Sequence, residues 1–317
     1  MPSRSLAGTP CLVLGAGGFI GLHLCQALVA AGAEVHAYGR PSAFADALPP
    51  LRWSSGEFAD AASLAKALRG AEVVFNLLGG SIPALANRDP QADLGSNLVA
   101  SVRLLELCGA AGIRKLVFIS SGGTVYGVPR TLPIPETHPT DPISAYGIHK
   151  LMVEKYIGLH AHLNGLRSVV LRAANPFGPY QSPHRGQGVV AALMATRLAG
   201  KPVRIWGDGR VVRDFLYVGD LAAAMLDAAL YEGPERVLNL GSGIGRSMLE
   251  VVEAIDATLG LGGGEIIFQP GRNADVPVNV LDTALIRREF GWEPRMKWEA
   301  GLRLTADWIA TTYAGGQ

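Results

Sequence analysis

The chain has 317 residues, of which 49% are hydrophobic and 17% charged. That composition excludes a disordered or coiled-coil protein and supports one large domain or two around a sizeable core. Lys and Arg number 28 against 27 Asp and Glu, a net charge of +1, so no general attraction to nucleic acid or to an acidic membrane is available and any bound anion must be held by local geometry.

Near the N-terminus, Arg4 precedes an apolar stretch from Cys11 to Ala31 that superficially resembles a secretory signal or a membrane span. Glycines, His23 and Gln26 interrupt it, and no convincing cleavage site follows. It reads as strand, turn and helix of a soluble, cytoplasmic protein. The three cysteines, Cys11, Cys25 and Cys108, include no CxxC pair and are expected to be small buried hydrophobes in a reducing compartment.

Strands are predicted at CLVLG (11–15), EVHAYG (34–39), VVFNLL (73–78), KLVFIS (115–120) and SVVLRAA (168–174), with helices near 19–31, 60–69, 95–111 and 146–163. Apolar strands alternating with crossover helices imply a parallel sheet covered on both faces. After Asn175 a Pro/Gly-rich loop, NPFGPYQSPHRGQG, leads to a helix near 189–199 and the strand VRIWG. A strand VLNLG (237–241) is expected to return to the main sheet. A helix at 247–259, a strand EIIFQ and helices at 282–290 and 298–313 complete the chain. The expected organisation is α/β: a doubly wound parallel (Rossmann) sheet over residues 8–174, rejoined by 213–242, with a smaller C-terminal α/β lobe from 175–212 and 243–317.

Residues 15–21 read GAGGFIG. Between an apolar strand and a helix, Gly15 permits a tight turn, Gly18 a close backbone approach to a pyrophosphate and Gly21 close helix–sheet packing. The helix N-terminus offers its N–H groups to the phosphates. Where a carboxylate accepting the NAD ribose hydroxyls is expected, at the end of the second strand, the chain has Gly39 followed by Arg40. A guanidinium there suits a 2′-phosphate, so NADP stands beside NAD, the alternative being a surface arginine. In SAYGIHK, Tyr146 and Lys150 share one helix face. A neighbouring ammonium and an oxidised nicotinamide both favour the phenolate, bringing a group with an ordinary pKa near 10 toward use as a base.

Through GAGGFIG, SSGGTVYG (120–127), YGIHK, NPFGP (175–179), WGDGRVVRDFLYVGDLA (206–222) and GRNADVP (271–277), the chain resembles the extended short-chain dehydrogenase/reductases. Within them it is similar to the NAD-dependent sugar epimerase/dehydratase family, its UDP-glucose 4-epimerase branch above all. The resemblance implies Tyr146 as acid/base and Lys150 as the group that binds the nicotinamide ribose and lowers the tyrosine pKa. It also implies cofactor contacts from Gly15, Gly18, Phe19, Ile20, Gly21, Arg40, Glu57, Phe58, Leu77, Leu78, Gly79, Asn97 and Ser120, with Pro176 and Phe177 flanking the nicotinamide. Asn175 would contact the substrate, Trp206 the nucleotide base, Arg213 and Arg272 the diphosphate, and Asp275 the nucleotide ribose. A pair of arginines suits a diphosphate held by a neutral protein. The smaller lobe is then the nucleotide-sugar lobe, and a homodimer through the helices near 95–111 and 146–163 is implied.

The pattern is broken at Gly122, where the family has a serine or threonine that bridges substrate and tyrosine; Thr124 is the nearest replacement, with Ser121 behind it. Asn279 stands where strict glucose/galactose enzymes often carry a larger tyrosine, leaving room for a 2-acetamido group. No metal site is expected: His160 and His162 point in different directions and no cysteine pair accompanies them. The absence of a G-x-S-x-G elbow argues against a serine triad on Ser121. The implied reaction is reversible C4 epimerisation of a nucleotide-diphosphate hexose, UDP-glucose/galactose or the 2-acetamido forms, through a transient 4-keto sugar. The alternatives are an NADPH-dependent reductase of a nucleotide-4-keto sugar and a silent dinucleotide sensor. A dehydratase is disfavoured because TVYG lacks the acidic Asp-Glu pair.

Overall fold

Strands whose residues are buried on both faces need helices above and below them, and that requirement organises the first layer. The computed structural model describes residues 5–79, 83–184, 186–271 and 276–313. In chain order the first part comprises β1 (Pro10–Leu14), α1 (Phe19–Ala30), β2 (Glu34–Tyr38), β3 (Arg52–Ser54), α2 (Ala61–Leu68), β4 (Val73–Asn76), α3 (Pro83–Arg88), α4 (Pro90–Asp93), α5 (Val99–Ala110), β5 (Lys115–Ser121), α6 (Ala145–Asn164) and β6 (Ser168–Ala173). There follow β7 (Asn175–Phe177), α7 (Val189–Leu198), β8 (Val203–Trp206), β9 (Val212–Tyr217), α8 (Val218–Leu230), β10 (Val237–Leu240), β11 (Gly245–Ser247), α9 (Met248–Thr258), β12 (Ile266–Gln269), β13 (Val278–Asn279), α10 (Ala284–Phe290) and α11 (Trp298–Tyr313).

The main sheet has seven parallel strands in the order β10-β6-β5-β4-β1-β2-β3. Successive side chains of a strand face opposite ways. Thus Cys11, Val13, Val73, Phe75, Val117 and Val169 pack with Leu24, Cys25 and Leu28 of α1 and Leu221, Ala224 and Met225 of α8. Leu12, Leu14, Val74, Leu116 and Phe118 pack on the other face with α2, α5 and α6. The three cysteines are free and buried, and burial pushes each thiol up to about 12.

Side chains punctuate the helices as the sequence suggests. Asp60 caps α2 through Ala62 and Ser63 N–H, and Ser144 caps α6 through Gly147 N–H. Gly165, at φ +68°, closes α6, and Ser247 with Glu250 forms a capping box on α9.

In the second lobe β11, β9 and β13 form one sheet, which β7 joins through β9, and β12 pairs with β8. Met194, Val252, Ile255, Leu302 and Ile309 of α7, α9 and α11 cover them. Several expectations are corrected. β10 does return to the main sheet, but β9 belongs to the second sheet, because Val212–Tyr217 pairs with β7, β11 and β13. The tail is not wholly second-lobe: Ile286 of α10 and Trp292 belong to the first core. The predicted helix at 95–111 starts as α5 at Val99, after a π-helical turn over Leu94–Leu98. The helix α8 and the edge strand β3 were not predicted.

Candidate active site

The glycine turn is built as its spacing suggests. Gly15 takes φ +84°, and a Cβ at Gly21 would fall 2.3 Å from the Gly15 carbonyl oxygen and 2.7 Å from Ala16 Cα. Only glycine admits that contact between α1 and the turn. Gly17, unremarked in the sequence, is equally constrained: its Cβ would lie 2.5 Å from the Arg40 carbonyl. The loop after β2 therefore lies directly on the turn. No side chain caps α1 at Gly18 and no acidic residue occupies its first turn, so the positive helix end remains free for an anion. A cradle that a side chain would fill fits a dinucleotide pyrophosphate, with Phe19 and Ile20 opening the helix.

Other predicted cofactor residues gather at the carboxyl edge of the sheet, where open α/β folds bind ligands. Leu78 Cδ2 and Leu77 stand 3.2 and 3.4 Å from the Cβ position of Gly15, and Phe58 lies 3.9 Å from that of Gly79. Arg40 and Glu57 are exposed, and the Glu57 carbonyl accepts from Tyr38 Oη at 3.0 Å. Asn97 donates to Asp93 at 2.8 Å. Two predicted contacts are instead interior. Ser120 is buried and its hydroxyl donates to Glu154; Phe177 is buried in the second core against Trp298, at 4.9 Å between ring centres.

Tyr146 and Lys150 open α6, one turn apart. Lys150 Nζ donates to the Ile119 carbonyl at 2.9 Å and lies 4.7 Å from the Phe118 ring centre and 5.8 Å from that of Tyr146. Burial lowers its pKa to about 8, while Glu154 and Asp93 oppose the shift. Tyr146 is raised to about 12, chiefly by burial and further by the Asp93 charge. In the chain by itself the Lys150 ammonium donates to β5, and desolvation together with Asp93 governs the phenol. Within the protein's own field Tyr146 is an acid. Its use as a base requires positive charge brought by a ligand.

Two buried groups beside this pair escaped the sequence reading. Asp93 Oδ2 lies 3.9 Å from His149 Nδ1, and burial, then Lys150, drives His149 down to about 4, so that it is neutral. The signal available was the histidine inside YGIHK; nothing local marked Asp93.

Gly122 is not a lost hydroxyl site. A Cβ there would meet Leu281 Cδ1 at 2.5 Å and the Arg172 carbonyl at 2.8 Å. Its own carbonyl accepts from Asn279 Nδ2 at 3.0 Å. Asn279 is fully buried, and its Oδ1 has no hydrogen-bond partner. Thr124 is more informative: its hydroxyl is buried with no hydrogen-bond partner, and its backbone carbonyl lies 2.6 Å from the Cβ position of Gly147, next to Tyr146. Buried polar atoms are ordinarily paired, and an unpaired one marks a ligand site or an unplaced water.

On the second-lobe side, Asn175 Nδ2 donates to the Asp214 carbonyl at 2.9 Å and Pro176 O accepts from Gln181 at 3.0 Å. Trp206 is 44% exposed at the end of β8. Arg213 Nη1 donates to the Val212 and Val276 carbonyls at 2.9 and 2.6 Å. Arg272 and Asp275 lie outside the described residues. Among the described residues no group of three or more His, Cys, Asp or Glu could hold a metal, and no helix is long and apolar enough to cross a membrane.

Comparison with known proteins places these features in company. Residues 11–241 match the model of the NAD dependent epimerase/dehydratase family. The chain is 34% identical over 306 residues to a UDP-glucose 4-epimerase of Mycolicibacterium smegmatis, covering 94% of this chain and 97% of that protein. It superposes with a TM-score of 0.91 on the UDP-glucose 4-epimerase of Thermotoga maritima solved with UDP-glucose, at 34% identity and covering 96% of this chain and 99% of the other. For the UDP-glucose 4-epimerase of Thermus thermophilus in complex with NAD, the TM-score is 0.88 at 33% identity, over 96% and 100% of the two chains.

Proposed function

The chain belongs to the NAD dependent epimerase/dehydratase family, and from that premise we propose that it interconverts the C4 epimers of a UDP-hexose with NAD as its cofactor. The observation that carries this reading is the placement of Tyr146 and Lys150 at the start of α6, at the sheet edge that also holds the glycine cradle. NAD held on the Gly15–Gly18–Gly21 cradle would supply a reversible hydride acceptor for C4, so there would be no net redox and the cofactor could stay bound. Tyr146 Oη takes the 4-hydroxyl proton and gives one back to the 4-keto oxygen. Lys150 holds positive charge next to that proton transfer, and the unpaired Thr124 hydroxyl bridges substrate and phenol. Asn175, Trp206, Arg213, Arg272 and Asp275 serve the nucleotide sugar.

The test is incubation of the purified protein with UDP-galactose or UDP-glucose and no added nucleotide. Conversion from both directions to one equilibrium ratio, without accumulation of reduced cofactor, is expected. If neither sugar reacts and a nucleotide-4-keto sugar instead consumes NADPH, the reductase reading holds. Gly39 and Arg40 favour that outcome, because no carboxylate closes the 2′ position.

The protein acts as a cytoplasmic homodimer. Supporting the first are its three free, buried cysteines; supporting the second is a stripe on α6. Ile148, Tyr156, Leu159 and Leu163 are exposed there at helical spacing, Leu163 at 66%, and Val99 of α5 is exposed at 65%. An apolar face of this kind on two neighbouring helices suits a second copy of the chain. Replacing Leu159 and Leu163 together with Glu should give a monomer by light scattering; an unchanged mass would move the interface elsewhere.

A further inference from the structure

Among the described residues Tyr180 is the one non-glycine with a positive φ, at +67°. A bulky side chain in the left-handed region is a strained outlier that persists only where its surroundings over-determine it, and such positions cluster at ligand clamps and switches. Here the surroundings are rings. Tyr180, Phe44 and Trp308 form a triangle in which each pair of ring centres is 5.5 Å apart. His23 lies 5.7 Å from Tyr180, and its Nε2 is 3.0 Å from the Pro179 carbonyl.

The members of this cluster come from four separate places. His23 is on α1, whose N-terminus forms the pyrophosphate cradle. Phe44 belongs to the loop after β2, which lies on the glycine turn through Arg40 and Ser42, the latter's N only 3.1 Å from the Gly17 Cβ position. Tyr180 ends the strap that begins at Asn175 and Pro176 and is held back on itself by Gln181. Trp308 is on α11, in the second lobe. The triangle therefore ties the loop beside the glycine turn, where the resemblance puts the adenosine ribose, to the strap that begins at Asn175 and Pro176, where it puts the nicotinamide, and fastens both to the second lobe.

We propose that Tyr180, Phe44 and Trp308 form an aromatic clasp that keeps the dinucleotide in place, its opening setting the rate at which NAD leaves. The inference rests on the proposed NAD-dependent function. A dinucleotide stretched between these two segments cannot leave until they part, and parting them breaks the triangle. Opening also lets Tyr180 relax to an ordinary backbone conformation, so the closed state stores strain that the ring contacts hold in check.

The test is the release of isotopically labelled NAD from the loaded full-length protein into excess unlabelled NAD. Tyr180→Phe, which keeps every ring, should release it within about twofold of the wild-type rate. Tyr180→Gly, Trp308→Ala and Phe44→Ala should release it about 10-fold faster or more, the scale set by losing the aromatic contacts of one ring. Circular dichroism identifies variants that fold, and the three together guard against the failure of any one. Wild-type release from folded Tyr180→Gly would overturn the clasp, as would slower release, because relief of strain would then outweigh the lost ring. If these rates hold but no UDP-hexose is epimerised, the clasp survives and the proposed function fails. If epimerisation proceeds and the rates do not change, the reverse is true. A chain that binds no labelled NAD overturns both.

Discussion

Replacing Tyr146 with Phe should lower kcat for UDP-galactose by about 10³-fold, within the range supplied by a positioned acid/base, while the protein keeps its NAD. The phenol is the group proposed to take and return a proton at the sugar oxygen, and Phe preserves its packing. A coupled assay together with mass analysis of nucleotide released on denaturation checks both halves. Near-normal turnover would remove Tyr146 from the chemistry. Thr124→Val should have a smaller effect, about 10-fold on kcat, because a relay can be bypassed by water. With burial and Asp93 holding the phenol at about 12, kcat should rise with pH on its acid limb as phenolate becomes available.

The second large effect concerns stability. Arg172 lies buried in β6, donating to Glu154 of α6 from Nη2 at 2.7 Å and from Nε at 3.2 Å to both carboxylate oxygens, and from Nη1 to Tyr126 Oη at 3.0 Å. Tyr126 passes the chain on to Asn239 Oδ1 at 2.6 Å. Removing one member of a buried ion pair leaves the other charged and unpaired, a loss of about 3–5 kcal/mol. Arg172→Met should therefore unfold at distinctly lower urea. Pairing it with Glu154→Leu should recover part of the loss, because the stranded carboxylate is gone. Two single variants whose effects simply add in the double would show that the pair is not coupled. Because Glu154 is one turn beyond Lys150, loosening this network also loosens the helix that carries Tyr146 and Lys150.

What could be read in advance divides along the range of the interaction. The strands of the parallel sheet announced themselves as continuous apolar runs, and the helix caps at Asp60, Ser144 and Ser247 as local signals. The spacing of Tyr146 and Lys150 put both on one face. The helix α8 was missed because, packed between the sheet and its neighbours, it buries Val218, Leu221, Ala222, Ala224, Met225, Ala228 and Ala229 and leaves no clean polar face to mark its period. The short strands β7, β9, β11 and β13 exist only through partners far along the chain. The same holds at the site. Gly122 read as a missing hydroxyl, whereas Leu281 fills the space a side chain would need. Lys150 read only as the partner of the tyrosine, and nothing local announced that its Nζ also donates to the Ile119 carbonyl of β5. No spacing rule contains either contact.

The order of strands has a consequence for how the chain is made and how it can be cut. β10, α8 and α10 complete the first layer, yet they are encoded after β8 and β9 of the second lobe. A growing chain that has just finished β6 exposes that strand's outer edge, and one face of the sheet lacks Leu221, Met225, Leu238 and Ile286. Unpaired apolar edges invite wrong partners until they are covered. The nascent protein must therefore hold this surface while β7, α7, β8 and β9 are synthesised, and must wait for Ile286 until α9, β12 and β13 have followed. For the same reason the second lobe is not a cassette. Exchanging it for that of a relative takes cuts on both sides of α8 and β10, and a single crossover after residue 174 would mate each half-built core to a stranger.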